Sequence, residues 1–521
     1  MTSNTPLPRR SNAALVLLLA LLCAPASART ILLVDDHDIL YRSGTRRVLN
    51  PPVRHKNNPL IKSDKPWETQ IAWNSVWRDP ESGKYQLWYQ AWNATARERG
   101  KTCVVAYGES DDGITFTKPQ LELFPFNDVA RTNIVLIGSG GTSYRYANSV
   151  LVEPHEPDAA KRYKMAYFDF EKDADAGGKE FPGLCVAFSP DGIHWTKHAK
   201  APLSRISYGN LEEPVPFADE RETRPWSVPL SMADAVDVFF DPVRNVYAWY
   251  GKMWIDGPSG TMAWKHAMGR SESRDFMHWS RPELILAPDD LDKPHVEFHT
   301  SPVFYYEGVY FCLNQILDRA TGEGVIDVEL MTSRDGIRWE RNFRDQWFLP
   351  RSKAKGAFDS GSVFTNATPV ILDDEIRFYY GGYSSGATGA DNLTGASGVG
   401  VATIPRDRFA GVRPVERSAQ ATLKTPLERM GQVTLKPVEL TKTSKITVNA
   451  DARGGEVRIE LLDAEMRRVR GFTRDEASVI TSDSLRHPVK WEARTLGDLP
   501  AGRYHVRAHL DRALLFAVSI E

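Results

Sequence analysis

Cysteine is scarce in this chain, with four in 521 residues. One of them, Cys23, follows the one long apolar run, Ala13 to Leu22. That run is too short to cross a bilayer, which takes about 20 apolar residues. Arg9-Arg10 precede it and Ala26-Ser27-Ala28 follow, so residues 1–28 read as a secretory signal cleaved near Ala28. A lipid anchor on Cys23 is disfavoured by bulky Leu22, where such signals want a small residue. The mature chain is therefore expected to be secreted or periplasmic. It keeps Cys103, Cys185 and Cys312, an odd number that excludes a fully paired disulfide framework. These three read as buried small apolar residues. An excess of charge of either sign is also lacking. Lys and Arg number 65 against 67 Asp and Glu, for a net charge of −2. No basic stripe points to nucleic acid, no acidic tail to a charged partner, and no later stretch to a membrane.

Aromatic residues are plentiful, with 14 Trp and 18 Tyr. They follow a repeat. Ser189-Pro190-Asp191-Gly192-Ile193-His194-Trp195 has an earlier copy, Ser110-Asp111-Asp112-Gly113-Ile114-Thr115-Phe116. Later copies are Ser273-Arg274-Asp275-Phe276-Met277-His278-Trp279, without the Gly, and Ser333-Arg334-Asp335-Gly336-Ile337-Arg338-Trp339. Their first residues lie 79, 84 and 60 positions apart, the mark of a repeat architecture. Asp-Gly supplies a tight turn, and the aromatic residue packs on the next layer. The motif speaks for the fold rather than for chemistry.

An aromatic strand precedes each copy: Tyr85 to Tyr89, Tyr163 to Tyr167, Val246 to Tyr250 and Val309 to Leu313, with Ile376 to Tyr380 as a fifth. An apolar strand ending in a turn precedes each of those in turn. Four antiparallel strands per unit make a propeller blade. The expected fold is all-β: a five-bladed β-propeller over 29–410, a linker at 411–432 and a β-sandwich over 433–521. Thr30 to Val34 is expected to add to the last blade and close the ring. Asp35-Asp36-His37-Asp38 reads as a solvated turn rather than a metal site. Neither a metal nor a cofactor is expected.

In a propeller the starting ends of the inner strands converge on the axis. The residues expected there are Glu68, Arg145, Asn148, Asp234, Asp237, Glu297, His299 and Asn366, with Trp92, Asp169, Trp254, Asp256, Gln315 and Asp318 on neighbouring loops. Carboxylates meeting at an axis suit glycoside hydrolysis, where one acid protonates the departing oxygen and one carboxylate acts as base or nucleophile. Glu297 is the expected acid, its pKa raised by Phe298, with ionised Glu68 or Asp237 as its partner. Arg145 would grip a carboxylate, His299 would orient the acid, and Trp92 and Trp254 would stack on sugar rings. Asn148, Asp234 and Asn366 complete the expected carbohydrate contacts. The other readings are a carbohydrate-binding propeller without turnover and a structural propeller.

Five such units with a trailing β-domain resemble the five-bladed glycosidases of glycoside hydrolase families 32 and 43. The resemblance implies hydrolysis of a furanoside or related glycoside, in a plant or algal oligo- or polysaccharide. It rests on architecture. Trp73-Asn74-Ser75 lacks the Asp of the family 32 opening motif, and Arg78-Asp79-Pro80 falls at the far end of its strand. The turn copies also resemble the Asp boxes of sialidases, with one residue fewer.

Overall fold

The computed structural model describes residues 28–139, 146–173, 178–205, 232, 234–255, 265–320, 324–344, 346–387, 395–415 and 430–521. The expected signal up to residue 27, together with Arg145 and Asp256, lies outside the described residues. The described chain is all-β, in multiple sheets, with three short 3₁₀ turns and no α-helix among the described residues.

Five antiparallel units follow one another. Unit one runs Gln70–Arg78, Tyr85–Trp92, Cys103–Ser110 and Ile134–Leu136. Unit two runs Tyr146–Val152, Tyr163–Asp173, Lys179–Ser189 and Thr196–Lys197. Unit three runs Asp237–Asp241, Val246–Ile255, Lys265–Ser273 and Glu283–Leu286. In units four and five the first strand is broken in two. Val296–Phe298 and Val303–Tyr306 both pair with Val309–Asp318, and Ser362–Phe364 and Val370–Ile371 both pair with Glu375–Tyr383. Pro302 and Pro369 lie in the gaps, where a residue without an N–H interrupts a ladder. Val325–Ser333 and Trp339–Glu340 complete unit four, and Ser397–Pro405 is the third strand of unit five.

The five units are linked in a cycle. Ser75 Oγ accepts from Val150 N–H at 3.0 Å, and Ser149 Oγ accepts from Val238 N–H at 3.0 Å. Thr300 Oγ1 donates to Asp237 at 3.4 Å, and Thr365 Oγ1 donates to the Leu313 carbonyl at 3.1 Å. Asn366 Nδ2 donates to Asn74 Oδ1 at 2.9 Å, returning from unit five to unit one. Short hydroxyl side chains allow this close approach. Gly381 does the same, because a Cβ there would stand 2.8 Å from Ala72 Cα.

Apolar packing follows the same circuit. Trp88 and Tyr107 pack with Met165 and Cys185, Phe168 with Trp249, Tyr250 with Tyr310, Leu313 with Phe378, and Tyr379 with Leu87. The turn copies pin these seams. In the Gly copies the Ser hydroxyl accepts from the Gly N–H, and Asp Oδ1 accepts two further N–H groups, as Asp191 does from Ile193 and His194 at 2.8 Å each. The Gly carbonyl then receives a hydrogen bond from the preceding unit: Tyr379 to Gly113, Trp88 to Gly192, and Tyr250 to Gly336. In the copy lacking Gly, Phe276 takes the positive φ, 66°. Asp112 and Asp191 are held down to about 2, chiefly by these N–H donors working against burial.

The lead-in departs from expectation. Arg29–Leu32 pairs with Leu514–Ile520, not with unit five. Val53–Arg54 and Ile61–Lys62 pair with Ser397–Pro405 instead. The stretch taken as a linker contains a strand, Ala410–Pro414, paired with Thr45–Leu49. Val412 is buried in the same core as Ile31, Val448 and Leu515. Two sheets, one holding Leu514–Ile520 and the other Gly502–Asp511, enclose that core. In the turn at Asp35, Asp35 and Asp38 pair with Arg334, while Asp36 pairs with Arg42 and Arg47. Its carboxylates are thus taken up by arginines. Cys103, Cys185 and Cys312 are buried.

Candidate active site

A buried polar cluster near the start of the first strands lies on units three and four. In Val296–Phe298, Val296 and Phe298 face the core between those units, so alternation turns Glu297 to the other side. There Arg319 Nε donates to Glu297 Oε1 at 2.6 Å, and His266 Nδ1 meets Glu297 Oε2 at 2.6 Å. His266 lies directly opposite Trp254 across Val246–Ile255 and Lys265–Ser273, their ring centroids 3.8 Å apart. Lys252, two residues before Trp254 and so on the same face, pairs with Asp234 at 2.5 Å.

One pleat beyond Glu297, His299 reaches the centre. Its ring lies 5.6 Å from both Trp73 of unit one and Phe364 of unit five, and is stacked on the former. Trp73 and Phe364 belong to a small core with Ala235 and Leu317, drawn from units one, three, four and five. His299 Nδ1 lies 3.1 Å from Gln315 Oε1. Burial pushes its pKa well below the ordinary value, and the charges of Lys252, His266 and Arg319 push the same way. His299 is therefore neutral at neutral pH.

Two carboxyls of this region, Asp237 and Glu297, are driven apart. Asp237, at the start of its strand, is 5% exposed, and burial raises its pKa well above the ordinary range against the single opposing Thr300 hydrogen bond. Burial also pushes Glu297 upward, but the His266 hydrogen bond and the charges of His266 and Arg319 outweigh it and lower its pKa. This reverses the sequence expectation, in which Glu297 was the acid. The neighbour Phe298 points into the core and leaves Glu297 to its cations. Burial lowers the His266 pKa.

The remaining expected residues lie elsewhere or serve the fold. Glu68 is buried in unit one, where Oε1 accepts from Tyr89 at 2.6 Å and Oε2 from Lys118 at 2.6 Å and two backbone N–H groups. These ties bind it to its own unit rather than to Glu297. Trp92 is 3% exposed and has no open face for a sugar. Asn148 donates to the Trp88 carbonyl at 3.5 Å, and Asn366 closes the cycle between units five and one. Asp234, Asp237, Trp254, Glu297, His299, Gln315 and Asp318 are thus the expected residues that lie in the region of units three and four, Asp318 opposite Val296 with His295 Nε2 at 3.0 Å. Lys252, His266, Arg319 and Trp73 were not anticipated. Lys252 and His266 carried a readable signal, since both stand close in sequence to Trp254 and Asp256.

No protein-family model matches the sequence, and no curated protein matches it. Solved structures are similar at low identity. One described as a glycoside hydrolase is 13% identical with a TM-score of 0.45, over 73% of this chain and 96% of its own. An N-acetylgalactosamine deacetylase from F. plautii, in complex with blood group B trisaccharide, is 16% identical with a TM-score of 0.41, over 70% and 97%. A member of the GH130 family, described as mannoside phosphorylases that include hydrolases of β-1,2 mannosidic linkages in Candida mannan, is 17% identical with a TM-score of 0.43, over 69% and 95%. Likeness at this level leaves the activity to be argued from the site.

Proposed function

We propose that the chain is an exported glycoside hydrolase, a five-bladed β-propeller made of the five units between residues 53 and 405, with a β-sandwich to which both 29–49 and 410–521 contribute strands. Its substrate is an O-glycosidic bond, of furanoside type, in a plant or algal oligo- or polysaccharide. The cyclic series of contacts between the units supports the propeller reading, and the two sheets around one core support the sandwich. Export rests on the sequence features of residues 1–28. No metal or cofactor is assigned a part.

One arrangement carries the function: two buried carboxyls stand at the starts of first strands on adjoining units, Asp237 with the Thr300 hydroxyl at 3.4 Å and Glu297 with His266 and Arg319 at 2.6 Å each. Such a pair divides the labour of glycoside cleavage. Asp237, kept protonated by burial, is the proton donor to the departing oxygen. Glu297, kept ionised by Arg319 and His266, is the base or nucleophile. His299 and Lys252 with Asp234 orient the substrate, and Trp254 offers a sugar-stacking face. Glu68 and Asn366 act through the frame of units one and five. Arg145 remains a candidate grip for a substrate oxygen.

Sugar release from aryl furanosides and plant or algal polysaccharides tests the reading. Asp237→Asn and Glu297→Gln should each cost at least ~10²-fold in kcat/KM, the scale of acid–base catalysis. One observation favours a carbohydrate-binding protein without turnover: both Glu297 oxygens already have partners at 2.6 Å. Calorimetric binding of a glycan with no release of sugar would select that reading.

A further inference from the structure

A cavity of about 320 Å³ opens between units one and two, at the far end of the strands from Glu297. Trp77, Gln86, Tyr107, Glu109 and Tyr163 line it, with Asp79 and Asp111 among the other walls. Gln70–Arg78 separates its Asp79–Lys84 hairpin from the Glu68 end by nine residues, roughly 25–30 Å of strand. It is thus apart from the candidate active site. The size is that of a small-ligand pocket.

Its chemistry is that of a sugar site. Trp77 and Tyr163 meet edge to face, their centroids 5.9 Å apart, and form an aromatic wall. Gln86 holds two phenols in place, donating to Tyr107 at 3.1 Å and accepting from Tyr163 at 2.9 Å. Carboxylates outnumber cations in the lining: Asp79, Glu109 and Asp111 against Lys84. Lys84 stands 3.9 Å from Asp111, and Glu109 has no ion-pair partner among the described residues. Such a lining accepts hydroxyl donors and repels an acidic sugar.

We propose that this cavity is a second saccharide-binding site. It would hold a non-acidic sugar unit of a polymer and tether the protein to its substrate, away from the mouth where Glu297 stands. The inference concerns binding and does not require that the chain hydrolyse anything.

Affinity electrophoresis of the mature protein tests it, in gels cast with arabinoxylan, galactomannan or laminarin, and with polygalacturonate as the acidic control. The Glu297→Gln background keeps the polymers uncut. Thr117→Trp fills the cavity from an exposed wall position, and Glu109→Ala removes an acceptor. The expected result is retardation in at least one neutral gel and none in polygalacturonate. Retardation should weaken at least fivefold in Thr117→Trp and at least threefold in Glu109→Ala, and survive Trp254→Ala at the opposite mouth. Three results would overturn the site: no retardation in any neutral gel, retardation in polygalacturonate removed by Thr117→Trp, or retardation unchanged by Thr117→Trp but lost in Trp254→Ala.

Discussion

Glu460 gives the sharpest test of the electrostatics of the C-terminal sheets. Its side chain is fully buried, with Arg507 Nη1 at 3.0 Å, His509 Nε2 at 3.1 Å and Arg468 Nε at 3.7 Å. The Arg474 N–H also donates to it, at 3.3 Å. Burial alone would raise its pKa, but the His509 hydrogen bond and charge, the Arg474 N–H and Arg468 bring it from 4.5 down to about 2. A drop of roughly 2.5 units corresponds to about 3 kcal/mol of stability. That falls at the lower edge of the ~3–5 kcal/mol lost when one partner of a buried pair is removed. Because the folded pKa is the lower one, the contribution is complete above about pH 4.5 and disappears as pH falls toward 2. Glu460→Gln should therefore cost about 3 kcal/mol at pH 7 and progressively less below pH 4.5. Urea unfolding, followed by hydrogen exchange of Glu456–Leu462, measures the difference. A gap between wild type and variant that stays constant from pH 6 to pH 3 would refute the reasoning.

Other perturbations have equally definite outcomes. Arg319→Met removes the guanidinium 2.6 Å from Glu297; because Arg319 is 36% exposed, the Glu297 pKa should rise by only about one unit. The acid limb of kcat/KM should move to higher pH by that amount, and an unmoved limb would speak against an ionised Glu297. Gly192→Ala places a Cβ 2.6 Å from Trp88 Cζ2 at a φ of 79°, whereas Gly356→Ala has the same φ and nothing within 4 Å. The second should cost about 1–2 kcal/mol of backbone strain, and thermal melts should show the first costing clearly more. Cys103, Cys185 and Cys312 should be silent to a thiol reagent in the native protein and all three react after unfolding.

Much of the fold could be read from local pattern. The turn copies announced the repeat because Ser, Asp and Gly act on neighbouring N–H groups, a chemistry contained within seven residues. The aromatic strands could be read for the same reason. Pairing partners could not. Arg29–Leu32 alternates like any strand, and nothing in its residues distinguishes unit five from Leu514–Ile520 at the other end of the chain. Ala410–Pro414 was hidden by its own Pro414 and by the Pro426 and charges further along the sequence. In the site, the positions of Glu297, His299 and Asp237 followed from strand starts. Their protonation did not, because it depends on Arg319 and His266, which arrive from other strands. Glu68 misled for the converse reason: its strand position is right, but Lys118, 50 residues later, engages its carboxylate.

The most direct measurement is reducing-sugar release by the mature protein on a panel of aryl furanosides and plant and algal polysaccharides, alongside Asp237→Asn and Glu297→Gln. Turnover of at least one substrate, falling at least ~10²-fold in each variant, is the predicted result. Turnover that persists in both variants, or none on any substrate from a folded protein, would contradict the account.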